Sequence, residues 1–177
     1  MLLTFYGYKG KSFLLKMSIF IQKIKTMNAV FELTATSRKM VAPFLEKYTL
    51  EQLNEIPKGF SNNLIWNIAH IVVTQQLLVY KLSGLPMQVS DEMVEKYKKG
   101  TKPEHTVTAE EVAEIKALLF STVEQMKNDY ENNVFEKYTE YPTSTGFILH
   151  NVEEAMTFNA FHEGLHLGIM MSIRKFL

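Results

Sequence analysis

The chain of 177 residues has no cysteine. No disulfide can staple its fold, and neither a thiolate metal ligand nor a cysteine nucleophile is available. That absence fits a cytoplasmic protein. Long apolar runs are missing too. The first 26 residues, MLLTFYGYKGKSFLLKMSIFIQKIKT, are apolar and basic, but Lys9, Lys11, Lys16, Lys23 and Lys25 interrupt them. No uncharged stretch there approaches the ~20 apolar residues that span a bilayer. Nor does a clean apolar stretch lead into a small-residue cleavage site. We therefore expect residues 1–27 to form an extension outside the core fold, with Met27 as the natural beginning, and residues 28–177 to form the domain. A basic surplus is also lacking. With the five early lysines set aside, the rest of the chain carries five more acids than bases. Such a body argues against a nucleic-acid surface, which needs cations to neutralise phosphates. No segment alternates with the two-residue period of a sheet, and no repeat or interdomain linker interrupts the chain.

The apolar residues present recur at helical spacing. Residues 28 to about 48 read as a first helix, with Pro43 expected to end or kink it, followed by a short connector punctuated by Pro57 and Gly59. Ser61 or Asn62 opens a second helix that Gly84 closes, nearly uncharged throughout and so heavily buried. A long polar connection follows, with one short helix between Ser90 and Lys99. Thr108 and Glu111 form a capping box that starts a third long helix with a core face at Val112, Ile115, Leu119, Val123 and Met126. A turn-rich crossover then leads to the last helix, capped by Asn151 and Glu154, with apolar positions at Ala155, Phe158, Phe161, Leu165, Ile169 and Ile173. The length suits one domain with a sizeable core. The expected class is all-α, a four-helix bundle with a long connection between helices two and three.

Three histidines carry the chemical signal. His162 and His166 are four residues apart, so they stack on one face of the last helix. His70 sits in the middle of the apolar second helix. Buried imidazoles need partners, because an unsatisfied polar group costs about 1–3 kcal/mol. If helices two and four are neighbours, the three rings converge on one point. Three neutral imidazoles suit a divalent first-row ion such as zinc or nickel and leave a coordination position for water or substrate. His105 and His150 read as surface residues. The run His162-Glu163-Gly164-Leu165-His166 also spells H-E-x-x-H. The eleven residues after His166 hold no further ligand, and no sheet is expected to bind a peptide, so a peptidase is disfavoured. Glu163 remains a candidate base for a metal-bound water. Asn63, Asn67 and Thr74 lie on turns near His70, and Asn159 is one turn before His162; Asn67, Thr74 and Asn159 are the candidates for substrate contact. Gly164 and Gly168 suggest close helix packing.

The segments NNLIWNIAHI and QQLLVYKLSGLP, followed by TSTGFILHNVEEAMTFNAFHEGLHLG, resemble the DinB-like (damage-inducible) family of bacterial four-helix bundles. The likeness covers roughly residues 28–177. The spacing of Trp66 and His70 is its more diagnostic half, since H-x-x-x-H alone is common. The resemblance implies a divalent metal held by a helix-two histidine and a last-helix pair, positions that His70, His162 and His166 match. It further implies a homodimer and, for some relatives, thiol transfer or isomerisation with a low-molecular-weight thiol. The expectation is a metal-dependent thiol transferase or hydrolase acting on a small molecule. The alternative is a non-catalytic stress-response or interaction protein whose metal is structural or incidental.

Overall fold

The computed structural model describes residues 6–177, with side chains from residue 15 onward except residue 20. Residues 1–5, part of the expected extension, lie outside it. Among the described residues there are six α-helices, four long and two short, and one small hairpin. The all-α reading holds in this coarser form.

Helix α1 runs from Tyr6 to Lys47 without a break, so the first helix begins well upstream of residue 28. Its described side chains up to residue 26 are exposed, and Met27 is the first to be buried. From there Met27, Phe31, Thr34, Arg38, Val41 and Phe44 turn inward at three- to four-residue intervals. Pro43 does not end the helix, which continues one turn beyond it.

The expected connector contains a short helix, α2 (Leu50–Asn54). Its start is a reciprocal capping box: the Gln52 N–H donates to Thr49 Oγ1 at 3.2 Å and the Thr49 N–H to Gln52 Oε1 at 3.1 Å. Helix α3 (Leu64–Gln75) is capped by Asn63, not by Ser61 or Asn62; Asn63 Oδ1 accepts from the Trp66 N–H at 2.9 Å. Every residue of α3 but Thr74 is buried. At roughly 1.5–3 kcal/mol for each fully buried Leu, Ile or Val, this helix dominates the core. It continues as a π-helical turn (Gln76–Tyr80) and a 3₁₀ turn (Lys81–Ser83), then stops at Gly84, whose φ of 70° is the left-handed value a side chain disfavours. The π turn brings Gln76 inside, where its Oε1 accepts from the Gln88 N–H at 2.8 Å and pins the following connection.

Helix α4 (Asp91–Tyr97) is capped by Ser90, and α5 (Ala109–Glu131) by Thr108. Glu111 does not complete the expected box. Its carboxylate accepts instead from the Tyr97 hydroxyl at 2.8 Å and from Lys96, tying α4 to α5. The crossover is not sheet-free: β1 (Tyr141–Pro142) pairs antiparallel with β2 (Ile148–Leu149) around a turn through Gly146. Helix α6 (Val152–Ile173) starts at Asn151, whose Oδ1 accepts from the Glu154 N–H at 2.9 Å. Helices α1 and α3 each pack on both α5 and α6. No helix among the described residues is long and apolar enough to cross a membrane.

The buried face of α6 differs from the expected apolar stripe. Phe161 and Leu165 are about half exposed, at 54% and 50%, whereas Asn159 and Glu163 are fully buried. Gly164 and Gly168 are not sites of close packing, since a methyl group added at either would meet no atom within 4 Å.

Candidate metal centre

His70 comes from the middle of α3, and His162 and His166 from adjacent turns of α6. Each offers a ring nitrogen, and the three nitrogens lie within 4.8 Å of one another. His162 Nε2 and His166 Nε2 are 3.1 Å apart. Two nitrogens on ~2.0–2.1 Å bonds to one tetrahedral ion would be separated by roughly 3.3 Å, so little movement separates the two arrangements. The expectation that His70 meets the C-terminal pair is met by the geometry.

The surroundings fix which nitrogen points inward. His70 Nδ1 is 2.6 Å from the Tyr97 carbonyl oxygen, which only accepts, so Nδ1 carries the proton and Nε2 keeps its lone pair. Thr74 Oγ1 lies 3.3 Å from that Nε2. Trp66, one turn earlier, stacks on the His70 ring with centroids 4.6 Å apart and planes 11° from parallel. This accounts physically for a tryptophan four residues before the histidine: the indole sets the plane of the imidazole.

His166 is oriented through Asn67. The Asn67 amide NH₂ donates to the Asn63 carbonyl at 2.7 Å and to Asn62 Oδ1 at 2.9 Å, leaving Asn67 Oδ1 as acceptor. His166 Nδ1 is 2.8 Å from that oxygen and donates to it, so its Nε2 is also a free base. A hydrogen-bonded Nδ1–H behind a free Nε2 is the usual support of a metal-ligating histidine. His162 lacks such a partner: its Nδ1 is buried and unpaired, as is Asn159 Oδ1 one turn before it. Two locked imidazoles and one half-buried imidazole facing them are a donor set that fits a divalent ion.

Protonation would compete with that role, and the site resists it. Burial lowers the pKa of His70. Burial, reinforced by His70 and Arg38, holds His162 down at about 4, and burial with His162 and His70 holds His166 at about 3. All three are neutral at pH 7. In the unfolded chain they titrate near 6.5, so between pH 6.5 and about 3 the unfolded state binds more protons than the folded one. The metal-free protein is therefore expected to lose stability as pH falls through that window, with no contribution from these groups above it. Denaturant titrations at pH 7 and pH 5 check this; the midpoint should fall at pH 5, and fall less in a His162→Ala, His166→Ala double variant.

His70 and His162 of the triad line a cavity of about 460 Å³. Leu77, Leu78, Phe158, Phe161 and Leu165 form apolar walls; His70, Thr74 and His162 line it with them. Thr74 is thus the one sequence-nominated substrate contact that reaches the cavity. Asn67 is buried behind His166, and Asn159 is buried with its Nδ2 donating to Glu163 Oε1 at 2.8 Å. Neither lines the cavity. His105 and His150 are exposed, paired with Glu111 and Glu140.

Glu163 is placed differently from a base. It is fully buried, absent from the cavity wall, and paired with Arg38. Arg38 Nε donates to Oε2 at 2.9 Å and Nη2 to Oε1 at 2.7 Å, a two-pronged contact. The same guanidinium donates to the carbonyls of Ile71 on α3 and Leu119 on α5. One side chain of α1 thereby joins all four long helices. Arg38 is not among the residues nominated from the sequence, although it shares the phase of Phe31, Thr34 and Val41 and so belongs to the buried stripe.

A helical protein with three convergent neutral imidazoles, two of them lining an apolar cavity, is a candidate metal-dependent protein. The DinB superfamily model matches residues 33–170, and the chain belongs to that superfamily. No curated protein matches it.

If His166 is held through Asn67, loss of that acceptor should weaken metal binding without removing a ligand. Asn67→Ala is expected to lower zinc affinity roughly 10–100-fold, as loss of an outer partner does elsewhere. A chelator competition titration measures this; unchanged affinity would mean that Asn67 does not position the ring.

Proposed function

We propose that the four long helices act as a bundle that holds one divalent ion, zinc or nickel, on His70, His162 and His166, and that the protein is a metal-dependent thiol transferase or hydrolase acting on a small molecule. The observation that carries this reading is the convergence of three neutral imidazoles, two with the proton locked on the far nitrogen, beside an apolar cavity that His70 and His162 line. An ion bound there would act as a Lewis acid that favours the anionic form of a thiol or water at neutral pH.

The chain's own residues do the rest. His70 and His166 present lone pairs in fixed directions, and burial keeps them unprotonated. Thr74, beside His70 Nε2, supplies a hydroxyl to orient a polar group entering the site. Leu77, Phe158 and Leu165 exclude water and hold an apolar body. Glu163 has no part as a base in this reading: with both oxygens engaged by Arg38, it anchors the turn of α6 that bears His162.

The experiment is metal analysis of protein purified without a histidine tag, followed by assay with small thiols and electrophiles. One ion per chain and thiol-dependent turnover that chelation abolishes are expected. Metal-free protein of unchanged stability, with no thiol binding, would leave the non-catalytic alternative.

A further inference from the structure

The cavity beside the histidines is apolar on its walls but not at its mouth. Lys81, at the start of the 3₁₀ turn that follows α3, and Lys98 and Lys99, just after α4, all line it. Lys81 and Lys99 are exposed and Lys98 is half-buried. Glu95 is the one acid on the same wall, and it pairs with Lys98. Among the described residues, neither Lys81 nor Lys99 takes part in an ion pair. The chain beyond residue 26 is acidic in sum, so a surplus of ammonium groups around this one opening is a local reversal of sign. Low-dielectric walls concentrate such a field at the mouth. From the hairpin turn Ser144 lines the cavity and adds a hydroxyl donor for an oxyanion, whereas the Thr143 hydroxyl donates to the Phe147 carbonyl at 2.7 Å and lies 2.9 Å from Thr145 Oγ1.

We infer that the substrate is a small amphipathic anion: one end reaches the histidine cluster, an apolar middle lies against the Leu and Phe walls, and a terminal anionic group meets Lys81, Lys98 and Lys99. This deepens the function proposed above and rests on it. Lysines select for charge and not for planar two-pronged geometry, so the site discriminates an anion from a neutral isostere more than one anion from another.

The test uses cobalt-loaded full-length protein and two thiols of equal length, 6-mercaptohexanoate and 6-mercaptohexanol, followed through the cobalt absorption spectrum. Both should perturb the spectrum by ligating the ion. The acid should bind about tenfold more tightly, the scale expected of two or three partly exposed ion pairs, and its advantage should shrink as salt is raised. In the triple variant K81Q/K98Q/K99Q the acid should fall to the alcohol's affinity while the alcohol is unchanged, and the thiol-free cobalt spectrum should match the unsubstituted protein. Equal binding of the two thiols, or an acid preference that survives the triple substitution, overturns the anion inference and leaves the metal reading standing. If neither thiol perturbs the cobalt spectrum, the thiol-dependent function itself fails, and the inference with it.

Discussion

His166→Ala should abolish stoichiometric metal binding and leave the helical fold in place. His166 supplies one of the three ring nitrogens and sits only 3.1 Å from His162 Nε2. Loss of a direct ligand should cost more than the roughly 10–100-fold that loss of an outer partner costs, so a variant prepared at micromolar zinc should carry far less than one ion per chain. The structural penalty is modest. His166 is partly exposed, and its removal leaves chiefly the Asn67 Oδ1 acceptor unpaired, a cost of about 1–3 kcal/mol. That is small against the ~5–15 kcal/mol of an ordinary domain. Metal content by mass spectrometry with a far-ultraviolet circular dichroism spectrum reads both halves; full occupancy with a native spectrum would refute the ligand assignment.

Arg38→Met should have the largest effect on stability of any single change discussed. It strands Glu163, fully buried, without its two charge-assisted contacts, and removes the donors to Ile71 and Leu119. Breaking one partner of a buried pair costs about 3–5 kcal/mol. For a domain of this size that lowers the melting temperature by roughly 6–20 °C. The double variant R38M/E163M removes the stranded charge together with its partner and should recover much of the loss, because well-packed apolar replacements of buried ion pairs are often neutral. Thermal melts of the parent, R38M, E163M and R38M/E163M give the coupling. Additive losses would show that the pair does not act as a unit.

Much of the fold was legible because the signals are local. Asn151, Thr108, Ser90 and Gly84 each act at the helix terminus where residue chemistry puts them. The histidine triad was legible for a similar reason: four-residue spacing fixes His162 and His166 on one face, and His70 stands out as a polar residue in an apolar helix. What escaped were features that depend on tertiary partners. Arg38, beside Lys39, reads as a surface cation until Glu163 is seen across from it. The H-E-x-x-H letters suggested a base, but helical geometry turns residue 163 about 100° from residue 162, into the core. Phe161 and Leu165 fit an apolar stripe yet border the cavity, because the inward phase of α6 is taken by Asn159 and Glu163. The upstream reach of α1 was hidden by lysines that interrupt an apolar stretch without breaking a helix. The Tyr97 carbonyl that locks His70 could not be read from any side-chain pattern, being a backbone atom at the end of a short helix.

In the proposed metal centre, imidazoles from α3 and α6 share one ion. X-ray absorption at the zinc edge of untagged, zinc-loaded protein tests it most directly. Three histidine nitrogens at about 2.0–2.1 Å and one further non-histidine ligand are expected, with one imidazole lost in His70→Ala. A spectrum with no imidazole shells, or one unchanged by His70→Ala, would contradict it.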